Sequence, residues 1–175
     1  MENLKYLKDV IALEKVIAGL KAVCDEEYKR IQFLNSQRVK KEELINQLEN
    51  SINESKNTIT EQEKCLFDID KKLENAKSQL SLVTNAKQEE SLKNNIESLG
   101  PESDKLQESI LERLEEIEVS ESQVTEALEF IKGLTETIAE IQIEVDNINT
   151  ENKSKIEQLE TQISGLLMEI PSNIS

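Results

Sequence analysis

Apolar residues recur along this chain at alternating steps of three and four. In the first half, one row runs Val10, Ile17, Cys24, Ile31, Arg38, Ile45, Ile52, Ile59, Leu66, Leu73 and Leu80, and ten of its eleven members are apolar. A companion row, three residues on, runs Leu13, Leu20, Glu27, Leu34, Lys41, Leu48, Ser55, Gln62, Ile69, Ala76 and Val83. These are the a and d positions of a heptad. One register held over so many repeats predicts a long helix with a left-handed supercoil seam. The interruptions at Arg38 and Lys41, and again from Ser55 to Gln62, read as polar layers that control register and partner choice.

The second half repeats the pattern. One row is Ile96, Ser103, Ile110, Ile117, Val124, Ile131, Ile138 and Val145; the other is Leu99, Leu106, Arg113, Ser120, Ala127, Leu134, Ile141 and Ile148. Near Asn152 the pattern slips by one residue and resumes as Ile156, Leu159, Ile163, Leu166 and Ile170. Such a slip is a stutter. Two turn signals compete between the arms. Asn85, with Gln88 three residues on, fits a helix N-cap in a capping box. Gly100–Pro101 is the stronger local breaker. Long-range pairing decides between them. A fold near residue 87 makes facing residue numbers add to about 175, as the pairing of antiparallel arms demands. Gln62 then faces the Arg113 level, Ser55 the Ser120 level, and Cys24–Glu27 the Asn152–Lys155 level. A fold at Gly100 would leave the apolar first 25 residues without a partner. The predicted fold is therefore all-α, a long antiparallel two-helix coiled-coil hairpin. Its first helix covers 1–83 and its turn 84–90. The second helix covers 91–171 with a kink near 100–101, and a tail spans 172–175.

The first 24 residues carry more apolar side chains than a two-helix seam uses. Leu7 lies at e, Val16 and Val23 at g, and Ile11 and Ala18 further round. The closing segment adds Leu166, Leu167, Met168 and Ile170. A stripe this wide predicts burial against a third surface. The open end of the hairpin is thus the expected contact region, either for a second copy, as a homodimer, or for a following domain or protein.

Composition narrows the chemistry. Four Gly, two Pro, five Phe and Tyr together and no Trp suit a coiled coil better than a compact domain. The absence of His removes the commonest general acid–base and the commonest metal ligand. No phosphate-cradling glycine motif occurs. Cys24 and Cys65 are 41 residues apart on one predicted helix, roughly 60 Å, too far for a disulfide. Cys24 lies on the seam, where a thiol is a small buried hydrophobe. No apolar run is long enough for a signal peptide or a membrane span, so a cytoplasmic location without membrane contact is expected.

Charge divides unevenly. Residues 1–87 carry 15 basic and 15 acidic side chains, whereas residues 88–175 carry 6 and 21. Glu112, Glu115, Glu116, Glu118 and Glu121 form the core of an acidic face, continued by Glu126 and Glu129. Such a face is either simply solvated or attracts a basic protein partner. It disfavours nucleic acid as a ligand.

The stretch VTNAKQEESLKNNIE between the arms resembles the tip of the bacterial zinc-ribbon hairpin proteins. Val83, Lys87, Glu90, Leu92, Ile96 and Glu97 match that tip, while Gln88, Glu89 and Asn95 depart from it; Val83, Asn85, Lys87, Glu90 and Leu92 are the expected hairpin-tip residues. The opening, ALEKVIAGLK, also resembles the family's first helix. In that family a helical hairpin precedes a four-cysteine zinc ribbon. No CxxC occurs in these residues, so zinc is expected only if the chain continues into a ribbon; otherwise this is a ribbon-less relative, and no cofactor is expected in the hairpin itself. The resemblance implies a non-enzymatic adaptor that contacts the sigma-54 type sigma factor and flagellar or type III secretion components, with a link to transcription regulation. The alternative is a purely structural coiled-coil spacer or tether without a regulatory partner. No nucleophile–base pair or ligand cluster points to an enzyme.

Overall fold

The computed structural model describes residues 2–169 and contains two helices, α1 (Glu2–Leu80) and α2 (Ala86–Met168), packed against each other as a hairpin. The heptad explains the helices. The a and d residues of α1 named above are all buried or half-buried, and so is Val83 beyond it. The same holds for both rows of α2. After Ile148 the seam passes through Asn152 and Ile156 to Leu159, Ile163 and Leu166, the course of the stutter. Helical propensity alone cannot hold helices of this length; the buried stripe does most of it.

The turn differs from the expected 84–90. It occupies residues 81–85, and α2 begins at Ala86 instead of 91. Capping is the reason. The Lys87 amide donates to Asn85 Oδ1 at 2.9 Å, and the Glu89 amide donates to the Asn85 carbonyl at 3.0 Å. Asn85 therefore satisfies one of the otherwise orphaned amides at the start of α2. At the other end, the Leu82 amide donates to the Gln79 carbonyl and the Ser81 hydroxyl to the Ser78 carbonyl, which closes α1 in a tight last turn. Val83, expected at the end of α1, lies in the turn.

Helix α2 runs through Gly100 and Pro101 without a break. Pro101 has no amide hydrogen for the Glu97 carbonyl, a local loss that the surrounding seam tolerates. The tail 172–175 and the last residues of the expected second helix lie outside the described residues.

The hairpin divides into two compact units. In the unit Glu42–Glu129, Ile52 and Ile59 of α1 pack with Ile110 and Ile117 of α2, flanked by Leu66 and Val124. In the unit formed by Met1–Lys41 and Phe130–Ser175, Ile31 packs with Ile141 and Val145, flanked by Leu34 and Ile138. Val145 is fully buried. Burying each such side chain contributes about 1.5–3 kcal/mol.

Candidate functional site

Polar residues in the seam meet polar residues. The Gln62 amide donates to Ser109 Oγ at 2.9 Å. The Ser103 hydroxyl, itself buried, donates to Asp70 at 2.8 Å. Asn152, 8% exposed, donates to the Leu20 carbonyl at 3.2 Å and lies 3.9 Å from Cys24 Sγ. Asn149 donates to the Tyr28 hydroxyl at 2.9 Å. The facing numbers add to 171 for Gln62–Ser109, 173 for Asp70–Ser103 and 177 for Tyr28–Asn149, close to the expected 175. Gln62 pairs with Ser109, one helical turn from Arg113; Gln62 Oε1 and Arg113 Nε are both buried without a hydrogen bond. Lys41, read as part of a polar layer, places its ammonium 5.1 Å from the centre of the Phe130 ring. A cation over an aromatic face is held by the ring quadrupole.

The predicted surfaces fall as follows. At the base, Leu7, Ile11, Val16 and Val23 are exposed although the helix beneath them is packed, and Leu167 is exposed beside half-buried Leu166. Ile170 lies outside the described residues. Met168 of the closing segment is exposed as expected, and Leu4, which the sequence reading missed, is exposed too. Leu4 lies one heptad before Ile11, which was the available signal. Near the base, Tyr6 and Glu169 interact. The Glu169 carboxylate accepts the Tyr6 hydroxyl hydrogen bond and, with its negative charge, holds the phenol above its usual value of 10.0.

At the tip, Val83 and Leu92 are half-buried, while Lys87 and Glu90 are exposed. Leu82, Val83 and Leu92 share a shallow groove with Gln79, Thr84, Gln88 and Ser91. Asn85 serves the cap and is fully engaged in structure. The acidic residues Glu112, Glu115, Glu116, Glu118 and Glu121 are all exposed. Glu121 pairs with Lys56 at 3.5 Å, an exposed bridge of small energetic weight. Glu112, Glu115 and Glu116 border an open groove floored by Ile52 and Ile117, where Ser51, Ser55 and Ser120 leave the seam shallow.

Among the described residues no group of His, Cys, Asp or Glu is placed to hold a metal ion, and no helix is long and apolar enough to cross a membrane. Cys24 is a buried free thiol and Cys65 an exposed one. What the arrangement offers is display: apolar flanks at the base, an acidic face, and a small polar tip.

Two long antiparallel helices with this heptad match the family model of the CT398-like coiled coil hairpin domain over residues 21–175. The chain belongs to that family. The matched region takes in most of α1, the turn and all of α2. Among solved structures, the hairpin is similar to the HP0958 protein from Helicobacter pylori CCUG 17874, with a TM-score of 0.70 at 18% identity. The alignment covers 99% of this chain and 73% of that one. At this identity the likeness concerns the fold. No curated protein matches the chain.

Proposed function

We propose that this CT398-like hairpin is a non-enzymatic scaffold that binds protein partners, and that the partners are a sigma-54 type sigma factor and flagellar or type III secretion components in the cytoplasm. The observation that carries the scaffold reading is the set of large apolar side chains left exposed at the base of a hairpin whose own seam is already filled: Val16 is 51% exposed and Val23 49%. A chain with 36 acidic residues against 21 basic ones does not leave apolar side chains in water for solubility's sake. The acidic face on α2 supports a basic segment as part of what is bound, since such a face steers a basic partner over about 8–10 Å at ordinary salt. The non-enzymatic reading is supported by the lack of His in the chain and by shallow, open grooves in place of a concave pocket. The finer identity of the partners rests on the resemblance of the tip and of the opening helix.

The test is direct binding of the purified chain to a purified sigma-54 type factor and to purified export components. Val16→Lys/Val23→Lys and Glu112→Lys/Glu115→Lys/Glu116→Lys should each weaken binding, the second most at low salt, with helicity unchanged. Failure of every component to bind would leave the hairpin a spacer.

A further inference from the structure

We propose that the Leu4–Ala18 flank of α1 is a self-association surface, and that its occupant is the same flank of a second copy of this chain, packed antiparallel about a two-fold axis at Ile11. The flank is distinct from the one carrying Val16 and Val23. On the heptad, Leu4, Ile11 and Ala18 occupy b, and Leu7 occupies e. The steps of three, four and seven line them up on one side of the helix. Leu4, Leu7 and Ile11 are 58%, 39% and 53% exposed. This is a second, short heptad stripe beside the seam that α2 fills, and a helix with a second apolar stripe has a second neighbour.

Charge selects the neighbour. The chain carries −15, yet its first 24 residues hold Lys5, Lys8, Lys15 and Lys21 against Glu2, Asp9 and Glu14. Two copies that met along the acidic face of α2 would bring like charges together. Two copies that meet here do not. The flank is also self-complementary. With antiparallel helices centred on Ile11, Leu4 of one copy lies beside Ala18 of the other, and Lys8 beside Glu14, twice by symmetry. An isologous two-fold contact requires this kind of self-match. A strongly basic partner would find no acidic excess on this flank, and a strongly acidic one would meet only a single net positive charge. The flank is a few turns long, at the lower end of interface sizes, so a dissociation constant on the order of 10 µM is expected.

The full chain should show concentration-dependent sedimentation from monomer to dimer across that range. Leu7→Glu/Ile11→Glu should weaken the dimer by roughly 100-fold or more, while its far-ultraviolet dichroism matches the parent, because both side chains are exposed within one hairpin. Position 11 also lies next to itself across the axis. In a background with Cys24→Ala and Cys65→Ser, Ile11→Cys should form an intermolecular disulfide when oxidised glutathione accepts the two electrons and two thiol protons. Val23→Cys in the same background, on the opposite flank, should cross-link far more slowly. A chain that stays monomeric at ten times the expected constant overturns the proposal and leaves the flank to a foreign partner. So does a dimer that Leu7→Glu/Ile11→Glu leaves intact, or cross-linking that is equal at positions 11 and 23. The proposed adaptor role is probed by a different pair, Val16 and Val23, so either idea can fail alone.

Discussion

Replacing Asn152 with Leu should make the hairpin more stable and its helix pairing less specific. Asn152 is 8% exposed and sits where the seam changes step. Its amide donates to the Leu20 carbonyl at 3.2 Å, a net contribution of about 0.5–1.5 kcal/mol. Loss of that donor leaves no orphan, because the Leu20 carbonyl still accepts the helical bond from the Cys24 amide inside α1. Burying a Leu side chain there contributes about 1.5–3 kcal/mol. Overpacking is a small offset, since an open groove bordered by Leu20, Cys24, Tyr28 and Ile156 adjoins Asn152. The net expectation is a stabilisation of roughly 1–2 kcal/mol, or about 2–8 °C in midpoint at this chain length. Thermal and urea unfolding followed by dichroism measure it, the urea midpoint rising at constant slope. Spin labels on the exposed positions Lys21 and Lys153 read the other half: one narrow distance in the parent, a broader or double distribution in the variant. A lower midpoint would show that the Asn152 bond outweighs apolar burial. A narrow distribution in a stabilised variant would show that Asn152 does not set the pairing.

Three further outcomes are expected. Asn85→Ala removes the side-chain acceptor for the Lys87 amide and should cost about 0.5–2 kcal/mol in urea unfolding, whereas Asn85→Asp should retain most of the stability; equal midpoints for parent and Ala variant would refute the cap. Ile117→Ala empties part of the Ile52–Ile59–Ile110 cluster and should cost about 2–5 kcal/mol, while Leu111→Ala, on the exposed side of the same helix, should cost less than about 0.5 kcal/mol. In a Tyr28→Phe background, absorbance at alkaline pH should show Tyr6 titrating above 10.0, and Glu169→Gln should bring it down. The folded value is raised, so the contribution of this contact is complete below pH 10 and is lost as pH climbs through the folded value; an unchanged titration in Glu169→Gln would refute the Tyr6–Glu169 contact.

The seam was legible because burial follows period, and the period needs no knowledge of the partner helix. Its stutter at Asn152 was legible for the same reason. The turn was misplaced by a few residues because helix pairing centres a turn only coarsely, while the Asn85 cap that sets the start of α2 is a one-residue feature. Asp70 was not legible as a partner for Ser103: it lies at e, outside the two rows, and reaches in with its carboxylate. Lys41 was read as an interruption in the seam because a lone sequence row cannot show that Phe130, from the other arm, offers a ring to its ammonium. The apolar base was legible as an excess over what two helices bury, and the exposure of Leu7, Ile11, Val16 and Val23 agrees with that excess. What covers it is not written in a heptad, since the same stripe serves any apolar neighbour.

The polar pairs explain how a seam of near-identical apolar residues finds one register. Displace α2 by a heptad and Ile, Leu and Val still fill most of the seam, so apolar burial discriminates weakly. Ile59, now packed with Ile110, would face Ile117 in one direction and Ser103 in the other. The polar levels change more. Gln62 would meet Glu116 or Glu102 instead of Ser109, and Ser103 would leave Asp70 for the level of Lys77 or Glu63. Asn152 would move from Leu20 and Cys24 to the level of Glu27 and Ile31, or of Leu13 and Ile17. Each buried polar group stranded this way costs about 1–3 kcal/mol. Three such levels together exceed the small difference in apolar burial between the two registers. The buried polar residues therefore lower the stability of the hairpin a little and the stability of its slipped alternatives a good deal more, which is the difference that specifies pairing. It follows that Asn152→Leu alone should loosen the register only locally, around the stutter, and that Gln62 and Ser103 should hold the register of the Glu42–Glu129 unit without it.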